Sequence, residues 1–184
     1  GEAIDYLRDH RDSWEDRMTE MTEMCLIDLW GKLTKQNALD LLELPGTAPV
    51  YGVYVILSDD LDFVDEKVRY AISCGKTRYI KVKLFGKEDL DRQVIQTVRK
   101  HLSRQDTYLI GDVNCGYRPE GTKKELDDII TSMKRLYEAG LDACEDPAFL
   151  TRDEWVKLQS CVHPLSLIPD YAMRPSRKAR ETIV

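Results

Sequence analysis

From Ile4 onward apolar residues recur at helical spacing, through Leu7, Trp14, Met18, Met21, Cys25, Leu29 and Leu33, with Arg and Asp on the other side. This period predicts an amphipathic helix over residues 2–31. A second, short helix follows over residues 34–44 and is stopped by Pro45-Gly46. Beyond Pro49 the pattern turns β-like. Residues 50–57 and 68–74 are expected as two strands joined by the acidic connection 58–67. Residues 79–85 alternate Ile80, Val82 and Leu84 with Lys81 and Lys83, which predicts a half-buried strand ended by Gly86.

Helical spacing returns over residues 88–103 through Leu90, Val94, Ile95, Val98 and Leu102, and 107–113 is a further strand. Thr122-x-x-Glu125 has the form of a capping box opening a helix to residue 143, with Leu126, Ile129, Ile130, Met133, Leu136 and Tyr137 inward. Thr151-x-x-Glu154 repeats the signature before a helix through Cys161, closed by His163-Pro164. The expected fold class is α+β: a small, mainly antiparallel sheet covered by helices and preceded by a helical segment. The expected organisation is a helical segment 1–46, a core 47–168 and a basic tail 169–184.

Composition narrows the function classes. An apolar share of 42% and a charged share of 33% fit a globular chain. No apolar run approaches the length of a membrane span, so no membrane partner is expected. The charge-dominated residues 1–17 do not read as a signal peptide, and Gly1 reads as a cleavage scar on a piece of something larger. The five cysteines, Cys25, Cys74, Cys115, Cys144 and Cys161, are odd in number and irregularly spaced. They predict reduced thiols in an intracellular protein, nuclear or cytoplasmic, rather than disulfides or a zinc site. Cys161-x-His163 reads as a helix end with a buried thiol.

The net charge of −6 argues against nucleic-acid binding by the surface as a whole. Charge is uneven, however: Lys76, Arg78, Lys81, Lys83 and Lys87 follow one another without an intervening acid, and the stretch 174–180 is basic. Met18, Met21 and Met24 read as core, with an adaptable docking surface as the alternative. Gly75-Lys76-Thr77 is not a P-loop, because Tyr70 occupies the position of the required earlier glycine. Cys74 as a nucleophile, with His101 or His163 as base, lacks any nearby oxyanion hole and reads as a small packed side chain.

Gly52-Val53-Tyr54-Val55-Ile56, then Ser73-Cys74-Gly75-Lys76-Thr77, then Arg92, His101 and Glu125 occur in an order that resembles the GIY-YIG nuclease family over residues 50–139. The resemblance implies Tyr54, Arg92 and His101 as catalytic groups and Glu125 as ligand of a divalent metal, Mg²⁺ or Mn²⁺. It implies Lys76, Arg78, Lys81 and Lys83 as nucleic-acid contacts. Tyr54 would activate water and Arg92 would stabilise developing charge. Ser73 stands where the family has its second tyrosine, which leaves open an active endonuclease or a degenerate, binding-only site. The other reading is a non-catalytic interaction module docking a protein through its N-terminal helices. In that case Tyr54 is a cross-strand packing residue, Arg92 a surface ion pair and Glu125 a cap.

Overall fold

The computed structural model describes residues 2–10, 13–14, 16–46 and 52–173, which divide into two compact units, 1–50 and 51–184. In the first unit the long helical period is broken into α1 (Glu2–Asp9) and α2 (Asp16–Thr34), followed by the short α3 (Ala38–Leu41). The break is local chemistry: the Ser13 hydroxyl donates to the His10 carbonyl at 2.7 Å, ending the first run. α2 then packs beside α1, where Arg8 meets Glu23 at 2.9 Å and Ile4 and Leu7 are buried. Met18, Met21 and Met24 are exposed rather than core. Asn37 caps α3 by accepting the Asp40 N–H at 3.0 Å.

The second unit repeats one motif: β1 (Tyr54–Ile56), α4 (Leu61–Ser73), β2 (Tyr79–Lys83), α5 (Glu88–Arg99), β3 (Tyr108–Asp112), α6 (Leu126–Ala139), β4 (Ala143–Glu145), α7 (Arg152–Val162) and β5 (Ser166–Ile168). A 3₁₀ turn, Tyr171–Met173, follows. The five strands lie in sequence order and every neighbouring pair is parallel. This α/β sheet replaces the expected antiparallel one. The reason is that each strand is followed by a helix that carries the chain back to the starting end, so the next strand runs in the same direction.

The misjudged segment is 58–74. Asp60 accepts the N–H groups of Asp62 and Phe63 and so caps a helix. Val64, Val68 and Ala71 are buried whereas Tyr70 and Ile72 are exposed, which is helical phase and not strand alternation. The expected strand 68–74 is therefore the second half of α4, and the strand pair that carried the nuclease resemblance does not exist. Thr122 does not open a capping box: its hydroxyl donates to the Pro119 carbonyl, and α6 starts at Leu126 after Glu125, whose side chain makes no cap bond. Thr151 and Glu154 do form the reciprocal box.

α4 packs on α5, α5 on α6 and α6 on α7, giving one helical layer. Ile80, Val82, Leu109 and Cys144 face a core shared with Val64, Val68, Val94, Ile95, Val98, Ile129, Met133, Leu136 and Leu158. A Cβ at Gly111 would lie 2.4 Å from Leu84 Cδ1, so any larger residue there requires the buried Leu84 side chain to shift. On the alternate positions Lys81, Lys83, Ile110 and Asp112 are only partly buried. Among the described residues, no helix is long and apolar enough to cross a membrane.

Candidate active site at the strand carboxyl ends

A parallel sheet gathers the residues that end its strands on one side, and in β/α proteins binding groups sit there. Lys81 and Lys83, two residues apart on β2, project to the same face. The strand register places Lys83 beside Asp112 and Asp112 beside Glu145, so one row across three strands reads Lys, Asp, Glu. Glu145 is in turn level with Ile168, two residues before Asp170.

Side-chain contacts follow this register. Lys81 Nζ lies 2.6 Å from Glu145 Oε2, and both side chains are largely buried. Lys83 Nζ lies 3.5 Å from Asp112 Oδ1 and donates to Asn114 Oδ1. The Asn114 N–H donates to Asp112 Oδ1 at 3.3 Å. Lys83, Asp112 and Asn114 line a cavity of about 580 Å³ with Leu57, Ser58, Asp59 and Phe85.

The loops leaving these strands are held in unusual conformations. Asn114, Cys115 and Asp146 have φ of 46°, 61° and 42°, left-handed values that concentrate at functional sites. Gly86, at φ 68°, lies so close to Gly116 that a Cβ would stand 2.3 Å from its carbonyl oxygen. Beneath these loops Asp91, fully buried, accepts the Phe85 N–H and the Tyr117 hydroxyl, each at 2.7 Å. Burial raises the Asp91 carboxyl above its ordinary range, and burial together with Asp91 pushes the Tyr117 hydroxyl well up.

Electrostatics at this end are negative. The Cys115 thiol is pushed up to about 11, first by burial and then by Asp146, Asp112 and Glu120. Cys144, fully buried, is raised for the same reasons, with Asp91, Asp112, Asp146 and Glu145 contributing. Such a field disfavours thiolates and favours cations. Among the described residues, no three His, Cys, Asp or Glu side chains are already drawn together as a metal cluster; Asp112 and Glu145 hold lysine ammonium groups instead.

The other residues singled out in the sequence lie elsewhere. Lys76 and Arg78 precede β2, at the amino end of the strand whose far part carries Lys81 and Lys83, so the basic run does not line one groove. Tyr54 lies 6.5 Å, ring to ring, from Tyr70 of α4. Arg92 is on α5, with a buried Nε that has no hydrogen-bond partner. His101 Nε2 meets Asp65 Oδ1 at 2.6 Å. Glu125 lines a separate cavity of about 490 Å³ with Arg118, Lys123 and Lys124. No hydrogen bond or ion pair joins Tyr54, Arg92, His101 and Glu125 among the described residues. The basic stretch 174–180 lies outside the described residues.

Sequence reasoning missed Asp112, Asn114, Glu145, Asp146 and Asp170. The available signal was the succession of short apolar runs each ending on a polar residue, Lys83, Asp112 and Glu145, between helical patterns.

Comparison with solved structures bears directly on this arrangement. A muconate lactonizing enzyme from Pseudomonas putida superposes with a TM-score of 0.72 at 20% identity, over 88% of this chain and 43% of that one. The likeness is one of fold. Muconate cycloisomerase from Pseudomonas fluorescens gives 0.77 at 18%, over 97% and 50%. An enolase from Bradyrhizobium, complexed with magnesium and mandelic acid, gives 0.71 at 18%, over 88% and 42%. The chain thus spans about half the length of these structures. No family model matches it, and no curated protein does. This fold, with the lysines bound to carboxylates, overturns the GIY-YIG resemblance. The endonuclease, pseudo-nuclease and interaction-module readings, and the nucleic-acid and helix-docked partners, fall with it.

Proposed function

We propose that the strand-end cluster is the acid–base site of an isomerase-type reaction on a small carboxylic acid, assisted by a divalent cation. The observation that carries this reading is the pair Lys81 and Lys83 on one face of β2, with Lys83 in register with Asp112 and Glu145 and Lys81 reaching Glu145 by its side chain. Two amines on one strand face, of which Lys83 lines the cavity, can take a proton from a carbon next to a carboxylate and return one. Sites on the enolase-like fold pair a lysine or histidine base with magnesium.

By ligand type, though not as a preformed cluster among the described residues, the carboxylates suit a hard cation. Asp112, Glu145 and Asp170 offer carboxylate oxygens at three successive strand ends, the ligand type suited to Mg²⁺ or Mn²⁺. The nearby carboxylates that add to burial in raising Cys115 and Cys144 support the same preference. When bound, the cation supplies neutralisation of charge on a substrate carboxylate and its enolate-like form. Lys81 and Lys83 hold and move protons at Nζ, and Asn114 orients Lys83 through its side-chain carbonyl. Leu57 and Phe85 give the cavity an apolar wall.

The test is exchange of the α-proton of mandelate and related small carboxylic acids in D₂O with Mg²⁺ or Mn²⁺, followed by NMR. Exchange is expected to require the cation and to disappear in Glu145→Gln. Exchange that persists without added metal and in that variant would overturn the reading.

A further inference from the structure

We infer that Asp146 is the positioning residue of this site, locking the ends of β3, β4 and β5 together and so setting the relative placement of Asp112, Glu145 and Asp170. The inference rests on the reading of those carboxylates as a cation site. Asp146 is 3% exposed and sits at φ 42°, a left-handed conformation open to aspartate at some cost. Its Oδ1 accepts the Asp170 N–H at 3.0 Å and its Oδ2 accepts the Tyr171 N–H at 2.9 Å. Its main-chain carbonyl accepts the Cys115 N–H at 2.7 Å, and its own N–H donates to the Ile168 carbonyl at 3.0 Å.

Each contact falls next to a residue of the site. Cys115 follows Asn114, the partner of Lys83; Asp146 itself follows Glu145; and Asp170 is gripped by its own N–H. The neighbouring Val113 N–H, one residue beyond Asp112, donates to the Glu145 carbonyl at 3.1 Å. No lysine, arginine or histidine forms an ion pair with Asp146 among the described residues, so the buried carboxylate is satisfied by backbone donors. Both its oxygens must accept. An amide in its place would aim an NH₂ group at one of two N–H donors, forcing the β5 exit, and Asp170 with it, to move.

A merely structural role is separated by comparison with Arg99. That residue anchors a second partly buried network, with the Gly140, Leu102, Ser103 and Thr107 carbonyls and Asp142, at the amino ends of β3 and β4. The experiment measures Mn²⁺ affinity of the full chain by calorimetry, alongside Tm and circular dichroism. It compares wild type, Asp146→Asn, Tyr171→Pro, Glu145→Gln and Arg99→Lys. Tyr171→Pro deletes the N–H that Oδ2 accepts while leaving Asp146 in place, and serves if Asp146→Asn does not fold.

Asp146→Asn and Tyr171→Pro are expected to weaken Mn²⁺ binding at least tenfold with helical content retained. Arg99→Lys is expected to lower Tm at least as much yet keep affinity within twofold. Retained affinity in both β5-exit variants, or a loss in Arg99→Lys that tracks its Tm, overturns the positioning role alone. A wild type that does not bind Mn²⁺, or binding unchanged in Glu145→Gln, overturns the cation reading beneath it.

Discussion

Among the described residues Lys83 pairs with Asp112 and Asn114, and both line the same cavity. Replacing it with Met keeps the aliphatic stem and removes the amine. Proton exchange is expected to fall at least about 100-fold, the scale of a lost general base, with Tm little changed. Deuterium incorporation by NMR checks this. Glu154 gives a pH prediction at the same scale. The Arg118 guanidinium, followed by the Thr151 bonds, holds its carboxyl at about 2, well below its ordinary value of about 4.3. A depressed carboxyl stabilises the fold above its unfolded value and loses that contribution as pH falls towards 2. At neutral pH the pair contributes about 1–2 kcal/mol, since Glu154 keeps some solvent contact. Thermal melts of wild type and Glu154→Gln should differ at pH 6 and converge near pH 2. The alternation of Lys81 and Lys83 was visible in the sequence, but their partners were not, because Glu145 is 64 residues from Lys81 in the chain.

The elements divide by how much of their identity is local. α5 and α7 were legible because spacing and, for α7, the Thr151–Glu154 box act within a few residues. α4 was not, since Val68–Ser73 is rich in residues that suit strands, and only the burial phase of Val64, Val68 and Ala71 reveals the helix. β4 and β5, three residues each, have no periodicity of their own and exist through pairing with their neighbours. The loops between elements are equally tertiary. Gly86→Ala is expected to cost at least about 3 kcal/mol, through positive φ and the clash with Gly116. Urea denaturation measures the loss, and a cost below about 1 kcal/mol would mean that the Gly86–Gly116 approach relaxes freely.

At the scale of the β/α unit as a whole, its two ends carry different tasks. The amino ends of the strands hold the Arg99–Asp142 pair at 2.5 Å, with Arg104 on the other Asp142 oxygen at 2.6 Å. Arg99→Ala leaves Asp142 with Arg104 and the Leu109 N–H but takes a donor from several carbonyls, and should destabilise by about 1–3 kcal/mol, the scale of a buried acceptor left unmet. It should leave the geometry of the carboxyl ends unaltered, which chemical-shift mapping of Asp112, Asn114 and Glu145 would check. At the carboxyl ends the arrangement is weighted towards chemistry: left-handed residues, lysines against carboxylates and an open cavity.

Length, charge balance, the number of cysteines and most helices of the β/α unit follow from the chain itself, because propensity, capping and 3.6-residue spacing operate between near neighbours. The direction of the strands, the order of the sheet and the gathering of Lys81, Lys83, Asp112, Glu145 and Asp170 at one end were decided by tertiary structure. A side-chain period of two reports which face of a strand is buried, and carries no record of whether its neighbour runs parallel or antiparallel. Residues far apart in sequence meet at strand ends only after the intervening helices have turned the chain around, so the site has no contiguous signature to read.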